Sequence, residues 1–271
     1  MRDHLLFKRL EFPFEKFEGA GNDFITIVRG PSFPTLYSSH APLLCDRRRG
    51  IGADGILVLQ KTSTDLWAME VWNADGSIAE MCGNGLRCAA ALLAARGEIS
   101  SRAQVQTGAG LIPVEIFPTG EVSIDLPHPK WGSPLHFEGY APLDTLSFGN
   151  PHGISFDPRA LQKREKIAPS WGVEVPGGIN ISFVKEVGEQ RLKVWVFERG
   201  AGWTQACGTG AAASVCAAVK RGILRRDRPA YVQLPGGELK ISLSAEHVQL
   251  TGPARHSFSG RWRGALPFSG E

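Results

Sequence analysis

The sequence predicts an α/β protein of two pseudo-symmetric domains, each a mixed β-sheet wrapped around a central α-helix, with a functional cleft between the domains. Two segments of the 271 residues share a cysteine followed by Gly-x-Gly, and an alanine-rich run follows each cysteine. Such a run, closed by a basic residue and a glycine, is typical of a helix with a glycine C-cap. Short apolar segments separated by glycine and proline predict strands elsewhere.

The first half of the chain begins with two strands around a glycine-rich turn. The predicted strands cover residues 12–17, 24–28, 56–60, 68–72, 103–107, 111–116 and 121–126, and the predicted helix covers residues 86–95. Residues 50–55 match G-x-G-x-x-G by letter, but a strand follows this loop, whereas a dinucleotide fingerprint needs the strand first. Three prolines within residues 127–134 indicate a linker between the domains.

The second half repeats this pattern of strands around one helix. A strand and a polar turn are predicted within residues 146–152, strands within residues 179–184, 192–198, 231–234, 238–243 and 247–250, and a helix over residues 211–219. The length suits two domains of ordinary size. We therefore expect an N-terminal domain of residues 1–128 and a C-terminal domain of residues 129–253, with the tail, residues 254–271, returning to the first domain.

The two cysteine segments have matching spacing. A polar residue lies nine positions before each cysteine, Asn73 before Cys82 and Glu198 before Cys207, and a glycine lies fifteen positions after each. A cysteine at a helix N-terminus meets unpaired backbone N–H groups and the positive end of the helix dipole, which favour a thiolate and also hold a carboxylate. Two such thiols predict opposed acid–base groups, which a racemase or epimerase needs to invert a stereocentre next to a carboxylate.

Simpler interpretations compete for these residues. A free cysteine is commonly a small buried hydrophobe, and this is our interpretation of Cys45, Cys88 and Cys216. His152, which follows Gly-Asn-Pro, could hydrogen-bond a turn, and the asparagines at positions 22, 73, 84, 150 and 180 lie in turn-rich contexts where asparagine is ordinary. Adjacent charges such as Glu198-Arg199 usually form a surface ion pair, but the nearby cysteine loop favours a clamp for a zwitterionic amino acid.

Composition and charge argue against several classes of protein. The net charge of +3 comes from scattered Lys and Arg without interleaved exposed aromatics, so we expect no nucleic-acid partner. We also expect no membrane span, and the charged first ten residues lack the apolar core of a signal peptide. Five cysteines without C-x-x-C spacing fit a reducing cytoplasm, and fit neither a secreted disulfide scaffold nor a zinc site.

Nine motifs extend from about Phe14 nearly to the C-terminus. They are K-F-E-G-A-G-N-D-F (16–24), R-G-I-G-A-D-G (49–55), N-A-D-G-S (73–77), M-C-G-N-G-L-R-C (81–88), G-N-P-H (149–152), E-R-G-A-G (198–202), A-C-G-T-G (206–210), P-G-G-E-L (235–239) and T-G-P-A (251–254). Together these motifs resemble the diaminopimelate epimerase family, whose members interconvert LL- and meso-diaminopimelate. The similar proline racemases usually have histidine where Asn84 stands here.

The resemblance implies two-thiol proton transfer on diaminopimelate by a homodimer that uses no cofactor and no metal. It implies that Cys82 and Cys207 form the acid–base pair, supported by His152 and Glu198. The reacting end of the substrate would contact side chains or backbone amides of Asn22, Gly83, Asn84, Asn150, Gly208 and Thr209. The distal end would contact Asn73, Asn180, Glu198 and Arg199.

Two features depart from the pattern of this family. About a dozen residues precede the usual start, and Trp203 stands where the family commonly has glutamate. Trp203 lies between the Glu198-Arg199 pair and Cys207, so it bears on substrate identity. Two alternatives therefore stay open, which are a racemase or epimerase of another amino acid and a non-catalytic amino-acid-binding protein.

Overall fold

The computed structural model describes residues 7–64 and 66–267, and it confirms the mixed α/β fold. In this part of the chain the strands are β1 (Phe7–Gly19), β2 (Asn22–Arg29), β3 (Gly55–Lys61), β4 (Trp67–Asn73), β5 (Ile78–Ala79), β6 (Arg102–Thr107), β7 (Gly110–Ile116), β8 (Glu121–Leu126), β9 (Lys130–Trp131), β10 (Asp144–Ser147), β11 (Pro151–Ser155), β12 (Asn180–Gly188), β13 (Arg191–Glu198), β14 (Gly202–Trp203), β15 (Ala230–Leu234), β16 (Gly237–Leu243), β17 (Val248–Pro253) and β18 (Arg255–Pro267). The helices are α1 (Ala41–Leu44), α2 (Gly83–Ala95), α3 (Pro158–Gln162), α4 (Arg164–Glu174) and α5 (Gly208–Lys220).

The chain divides into two compact units. Unit 1 contains the described residues up to Gly19, those within Asp23–Val122 and those from Ala254 onward, and unit 2 contains Ala20–Asn22 and Ser123–Pro253. Within unit 1, β18 pairs antiparallel with β1 along nearly the whole of both strands. Residues 127–134, which we expected as a linker, contain β9, and this short strand pairs antiparallel with β10.

Each unit contains the same ladder of five strands. In unit 1, β2–β3 is parallel, β3–β4 antiparallel, β4–β6 parallel and β6–β7 antiparallel. In unit 2, β11–β12 is parallel, β12–β13 antiparallel, β13–β15 parallel and β15–β16 antiparallel. Neighbouring parallel strands need a crossover connection, and α2 and α5 lie in the two equivalent crossovers. The internal repeat of the sequence therefore corresponds to a repeated strand order.

The helices α2 and α5 are the central helices of their units. Ten residues of each helix are buried, as expected for a helix that is largely apolar on every side. The glycines that follow, Gly97 and Gly222, have φ of 70° and 72°, a conformation in which glycine avoids the steric cost of a side chain. In each, N–H groups bond back to carbonyls of the last helical turn, so the predicted glycine C-caps are confirmed.

Residues 158–174 form two helices that the sequence analysis did not assign. The N-cap of α3 is Asp157, whose side chain accepts the Arg159 backbone N–H at 2.8 Å, and Pro158 occupies the first helical position. The helix α4 contains Pro169 and buries only Ile167, Ala168 and Trp171. Its sequence therefore lacks the clear apolar periodicity by which a helix is predicted. Among residues 7–64 and 66–267, no helix combines the length and apolar character needed for a bilayer crossing.

Candidate active site

Cys82 and Cys207 have nearly the same backbone conformation at the start of equivalent helices. Cys82 is the N-cap of α2, with φ −135° and ψ 111°, and Cys207 is the N-cap of α5, with φ −123° and ψ 107°. Each Sγ accepts the backbone N–H three residues later, from Gly85 or Gly210, at 3.4 Å. Both sulfurs therefore lie where free amides and the helix dipole stabilise negative charge.

The second glycine of each Gly-x-Gly segment lets the helix start against its own sheet. A Cβ at Gly85 would lie 2.7 Å from Cδ2 of Leu57 on β3, and a Cβ at Gly210 would lie 3.1 Å from Cγ2 of Val196 on β13. A side chain at Gly85 would clash with the buried Leu57 side chain and force it aside.

In unit 1, a buried guanidinium bonds to the two residues that follow Cys82. Arg87 has no exposed surface, and Asn84 is 3% exposed. Nη2 of Arg87 donates to Oδ1 of Asn84 at 3.1 Å, and Nη1 donates to the Gly83 carbonyl at 3.5 Å. Asn73 lies at the exposed end of β4, where its Nδ2 donates to Oγ of Ser77 at 2.9 Å. The structure thus groups Gly83 and Asn84 with Cys82 at the helix N-terminus.

In unit 2, three of the predicted residues form one hydrogen-bonded chain. Nδ2 of Asn150 donates to Oγ1 of Thr209 at 3.2 Å, and that hydroxyl lies 3.6 Å from Sγ of Cys207. Thr209 and Gly208 are the second and first residues of α5, so both contribute backbone N–H groups beside the thiol.

Glu198 is the charged group that contacts the Cys207 thiol. Burial, and then the negative charge of Glu198, raise the pKa of Cys207 well above its ordinary value, and a hydrogen bond joins the two side chains. Oγ1 of Thr204 donates to Oε1 of Glu198 at 2.5 Å. A charge-assisted bond of this kind favours the ionised carboxylate, so the contacts place an acceptor opposite the Cys207 S–H group.

His152 lies on β11 with no exposed surface. Burial lowers the pKa of this imidazole to about 3, so the ring is neutral near pH 7. Neither ring nitrogen has a hydrogen-bond partner among the described residues. Buried polar groups are usually paired, and an imidazole in this state has both a donor and an acceptor available to a bound molecule or a thiol.

Asn180 connects two segments that carry predicted site residues. Its Nδ2 donates to the Pro151 carbonyl at 3.0 Å, and its Oδ1 accepts the Arg199 backbone N–H at 2.9 Å. The Arg199 side chain is exposed, and its Nη1 donates to the Gly177 carbonyl at 2.9 Å. Asn180 therefore fixes the start of β11, which carries His152, relative to the turn after Glu198.

Asn22 belongs to a tight loop that packs on a second glycine loop of unit 2. A Cβ at Gly236 would lie 2.1 Å from the Ala20 carbonyl oxygen, and a Cβ at Gly21, which has φ +84°, would lie 2.8 Å from Cα of Gly236. Glycine at both positions permits this approach. The P-G-G-E-L motif therefore packs against the backbone of the loop that ends at Asn22.

The residue after Asn22 begins a charged network within unit 1. The carboxylate of Asp23 accepts hydrogen bonds from Lys16 and, at 2.6 and 3.0 Å, from Arg47. Burial would raise the pKa of Asp23, but these bonds outweigh burial and hold the pKa at about 2. The Asp23 backbone N–H also donates to Asp54 at 3.1 Å. This network joins the G-N-D-F and R-G-I-G-A-D-G motifs, so their charged residues have a structural role.

Trp203 joins a cluster of aromatic rings in unit 2. Its ring centroid lies 5.4 Å from that of Phe197 and 6.0 Å from that of Phe183, and Phe183 in turn stacks on Trp171. Trp203 pairs with Phe197 across β14 and β13, and Thr204, which binds Glu198, follows it directly. Trp203, the residue that departs from the family pattern, therefore lies beside Thr204, which donates a hydrogen bond to Glu198.

The three remaining cysteines are buried in their units. Burial raises the pKa of Cys45, Cys88 and Cys216 to about 12 in each case, which agrees with our interpretation of them as packing residues. All five cysteines are free thiols. Within the described ranges, 7–64 and 66–267, no group of three His, Cys, Asp or Glu side chains is arranged to hold a metal ion.

Sequence reasoning assigned no role to Arg87 or Thr204. Arg87 lies inside the M-C-G-N-G-L-R-C motif, but an arginine is rarely fully buried, so no sequence pattern predicts one beneath a cysteine loop. Thr204 lies six residues after Glu198, and the turn at residues 199–202 brings the two side chains together. The sequence indicates this contact only by the position of the threonine, shortly after a glycine-rich turn that follows a strand.

Comparisons with known proteins agree in the family that they indicate. A sequence model of the family described as diaminopimelate epimerase matches residues 14–131 and 146–257. A diaminopimelate epimerase from Synechococcus elongatus is 40% identical, over 93% of this chain and 98% of the relative. Diaminopimelate epimerase 1 from Nostoc sp. is 39% identical, over 92% and 98%. A solved structure, described as a predicted epimerase from Pseudomonas aeruginosa, shares the fold with a TM-score of 0.71 at 12% identity, covering 92% of this chain and 98% of its own.

Proposed function

The chain belongs to the diaminopimelate epimerase family, and we propose that it interconverts LL- and meso-diaminopimelate, as its relatives are named for doing. It is an isomerase that acts on a small amino acid, in the lysine and peptidoglycan-precursor pathways that the family name implies. The observation that carries the proposal is the pair of N-cap cysteines, one in each copy of the repeated strand ladder.

The reaction that we propose moves one proton at each thiol. One thiolate removes the α-proton and becomes a thiol, and the other thiol protonates the opposite face of the carbon and becomes a thiolate. The substrate carboxylate gains negative charge while the α-carbon is deprotonated. Backbone N–H groups at the starts of α2 and α5, from Gly83, Asn84, Gly208 and Thr209, would stabilise that charge.

The surroundings of Cys207 support its assignment as one of the two acid–base groups. Glu198 accepts the thiol hydrogen bond, and Thr209 links the same sulfur to Asn150. We assign His152, together with Glu198, to the support of the acid–base pair, because its buried, neutral ring has both nitrogens available.

The remaining residues would bind the distal amino-acid end or close the site around the substrate. We assign Asn73, Asn180, Glu198 and Arg199 to the distal end, and Asn22 to the reacting end. Contacts with the distal end use binding energy remote from the reaction to align the α-carbon. The exposed Arg199 guanidinium is a suitable partner for a distal carboxylate.

Two further features of the protein are proposals of the same kind. We propose that the chain forms a homodimer, as the family resemblance implies, so light scattering in solution should give twice the 29.4 kDa mass of the chain. We propose that it works in the cytoplasm, because the reaction needs both thiols reduced and thiols stay reduced there.

The test is exchange at the α-carbon in deuterated water. Reduced protein incubated with LL-diaminopimelate and no added cofactor should incorporate α-deuterium and form the meso isomer. Cys82→Ser and Cys207→Ser should each abolish turnover. Cys88→Ser and Cys216→Ser are matched controls, because each changes a buried cysteine of the same helix and should leave turnover intact.

Three results would contradict the proposal. Turnover that survives Cys82→Ser or Cys207→Ser would exclude the two-thiol mechanism. Exchange with another amino acid but not with diaminopimelate would assign the protein to a different racemase, and Trp203→Glu would then be the first reversion to examine. Tight binding of diaminopimelate without any exchange would indicate a binding protein.

A further inference from the structure

The two cysteine helices have the same cap geometry but different charges around the cysteine. Five positions after each cysteine, α2 has Arg87 and α5 has Ala212. Nine positions before each cysteine, the first segment has Asn73 and the second has Glu198. At these two aligned positions the first segment has a cation where the second has alanine, and the second has an anion where the first has asparagine. The other charged residues of the segments, Asp75, Glu80 and Arg199, are exposed to solvent, which screens them. The two thiols therefore ionise in different fields.

Arg87 supplies a positive charge that water does not screen. Its side chain is fully buried and bonds to the Asn84 side chain and the Gly83 carbonyl, so it is fixed beneath the first turn of α2. Arginine stays protonated in proteins. A charge in a low-dielectric surrounding acts strongly on its neighbours, and Cys82 is one of the groups that interact electrostatically with it.

Two other ionisable groups face Arg87, and neither replaces Cys82 as its counter-charge. Cys88 is fully buried, and burial raises its pKa to about 12, so it stays a neutral thiol. Glu18, on β1, interacts with Arg87 less strongly than the two thiols do, and its carboxylate also pairs with Arg255 at 3.4 Å. Negative charge on Cys82 therefore remains favourable in the presence of Glu18.

The contacts of Cys207 favour the opposite protonation state. A carboxylate only accepts hydrogen bonds, so the bond between Cys207 and Glu198 requires the sulfur to donate its proton. A thiolate at Cys207 would place two negative charges together in a buried place. The bonds from Thr209 and the Gly210 amide act in the other direction, but burial and Glu198 outweigh them and keep the pKa of Cys207 high.

From these contacts we propose that the resting protein carries its thiolate at Cys82 and its thiol at Cys207, and that Arg87 is the positioning residue that fixes this order. The proposal rests on the proposed function. In the first turnover Cys82 accepts the α-proton, and Cys207 donates its S–H proton to the opposite face. The protein then holds a thiol at Cys82 and a thiolate at Cys207, and proton exchange with water restores the resting state.

The test measures thiol ionisation in the free protein, without any substrate. Alkylation by iodoacetamide is followed across pH, and each cysteine is quantified by peptide mass spectrometry. Each profile is normalised to its own plateau, so the lower accessibility of Cys207 does not affect its midpoint. We expect the Cys82 midpoint to lie at least about one pH unit below the Cys207 midpoint.

Variants on one helix separate the charge of Arg87 from its packing. Arg87→Met should raise the Cys82 midpoint by about one pH unit or more and leave Cys207 unchanged. Arg87→Lys keeps the charge and should keep the Cys82 midpoint near its wild-type value. Arg96→Met is the matched control, because Arg96 lies at the exposed end of the same helix and pairs with Glu15, and it should shift neither midpoint.

Two results would overturn the proposal. A Cys207 midpoint below that of Cys82 would reverse the order, and an unchanged Cys82 midpoint in Arg87→Met would remove the role of Arg87. If Arg87→Met does not fold, Glu198→Gln gives the second measurement and should lower the Cys207 midpoint. The alkylation profiles are measured without substrate, so they are independent of the epimerase assay. The expected midpoints in a protein that does not epimerise diaminopimelate would contradict only the proposed function. Reversed midpoints in a protein that does epimerise diaminopimelate would contradict only this proposal.

Discussion

Thr204→Val tests whether the hydroxyl that binds Glu198 contributes to turnover. Valine has nearly the shape of threonine, so the change removes the bond from Oγ1 to Oε1 of Glu198 at 2.5 Å and keeps the packing beside Trp203. A hydrogen bond to a charged group is worth ~1.5–3 kcal/mol. Glu198 and Thr204 are both half-buried, so solvent compensates part of the loss and we take the lower value.

A loss of ~1.5 kcal/mol corresponds to a decrease of about tenfold in rate. We expect this decrease in kcat with little change in KM, because in the proposed mechanism Glu198 acts on the Cys207 thiol during proton transfer. The assay is meso-diaminopimelate formation, together with circular dichroism to show that the variant is folded. Thr204→Ser keeps the hydroxyl and should retain most of the activity. A folded Thr204→Val protein within about twofold of wild-type kcat would refute this reasoning.

Three further changes test other parts of the structure. The folded pKa of His152, about 3, lies below its ordinary value of 6.5, so the unfolded chain binds the extra proton. Stability should therefore fall by up to ~1.4 kcal/mol per pH unit as pH drops between these values, and His152→Asn should reduce this slope in urea unfolding. Asp23, with a pKa of about 2 against 3.8, contributes stability above pH 3.8 that is lost as pH falls towards 2, and Asp23→Asn should remove that contribution at pH 7. Gly85→Ala should cost ~1–3 kcal/mol by forcing Leu57 aside, whereas Gly30→Ala, with no atom within 4 Å of the new Cβ, should leave the unfolding midpoint unchanged.

The repeated features of the fold could be predicted from the sequence. The spacing of Cys82 and Gly97, repeated in Cys207 and Gly222, marks the two ends of both central helices, because N-caps and C-cap glycines are set by local backbone chemistry. The strands of both ladders alternate or run apolar between glycine and proline. These local sequence patterns predict strands and helix ends without any knowledge of the order of strands in the sheet.

The contacts that set charge at the candidate site could not be predicted in this way. The bond between Thr204 and Glu198 depends on the turn geometry of residues 199–202, and the burial of Arg87 depends on how β1 covers α2. The local sequence around His152 is that of an ordinary turn, and only the family resemblance gave this residue a role. The absence of a partner for its ring is visible only when its neighbours within the described residues are placed. Each of these properties arises from residues that are distant in sequence or from packing across elements.

The repeated strand ladder has a consequence for how such a site can arise. Two identical polypeptides that assemble around a twofold axis must carry the same residue five positions beyond each cysteine, so their two sulfurs have equal proton affinity. Once the copies are fused into one chain, each can mutate alone, and here one copy has Arg87 where the other has Ala212. Duplication followed by divergence would therefore permit what a symmetric pair lacks, which is a different charge beside each cysteine.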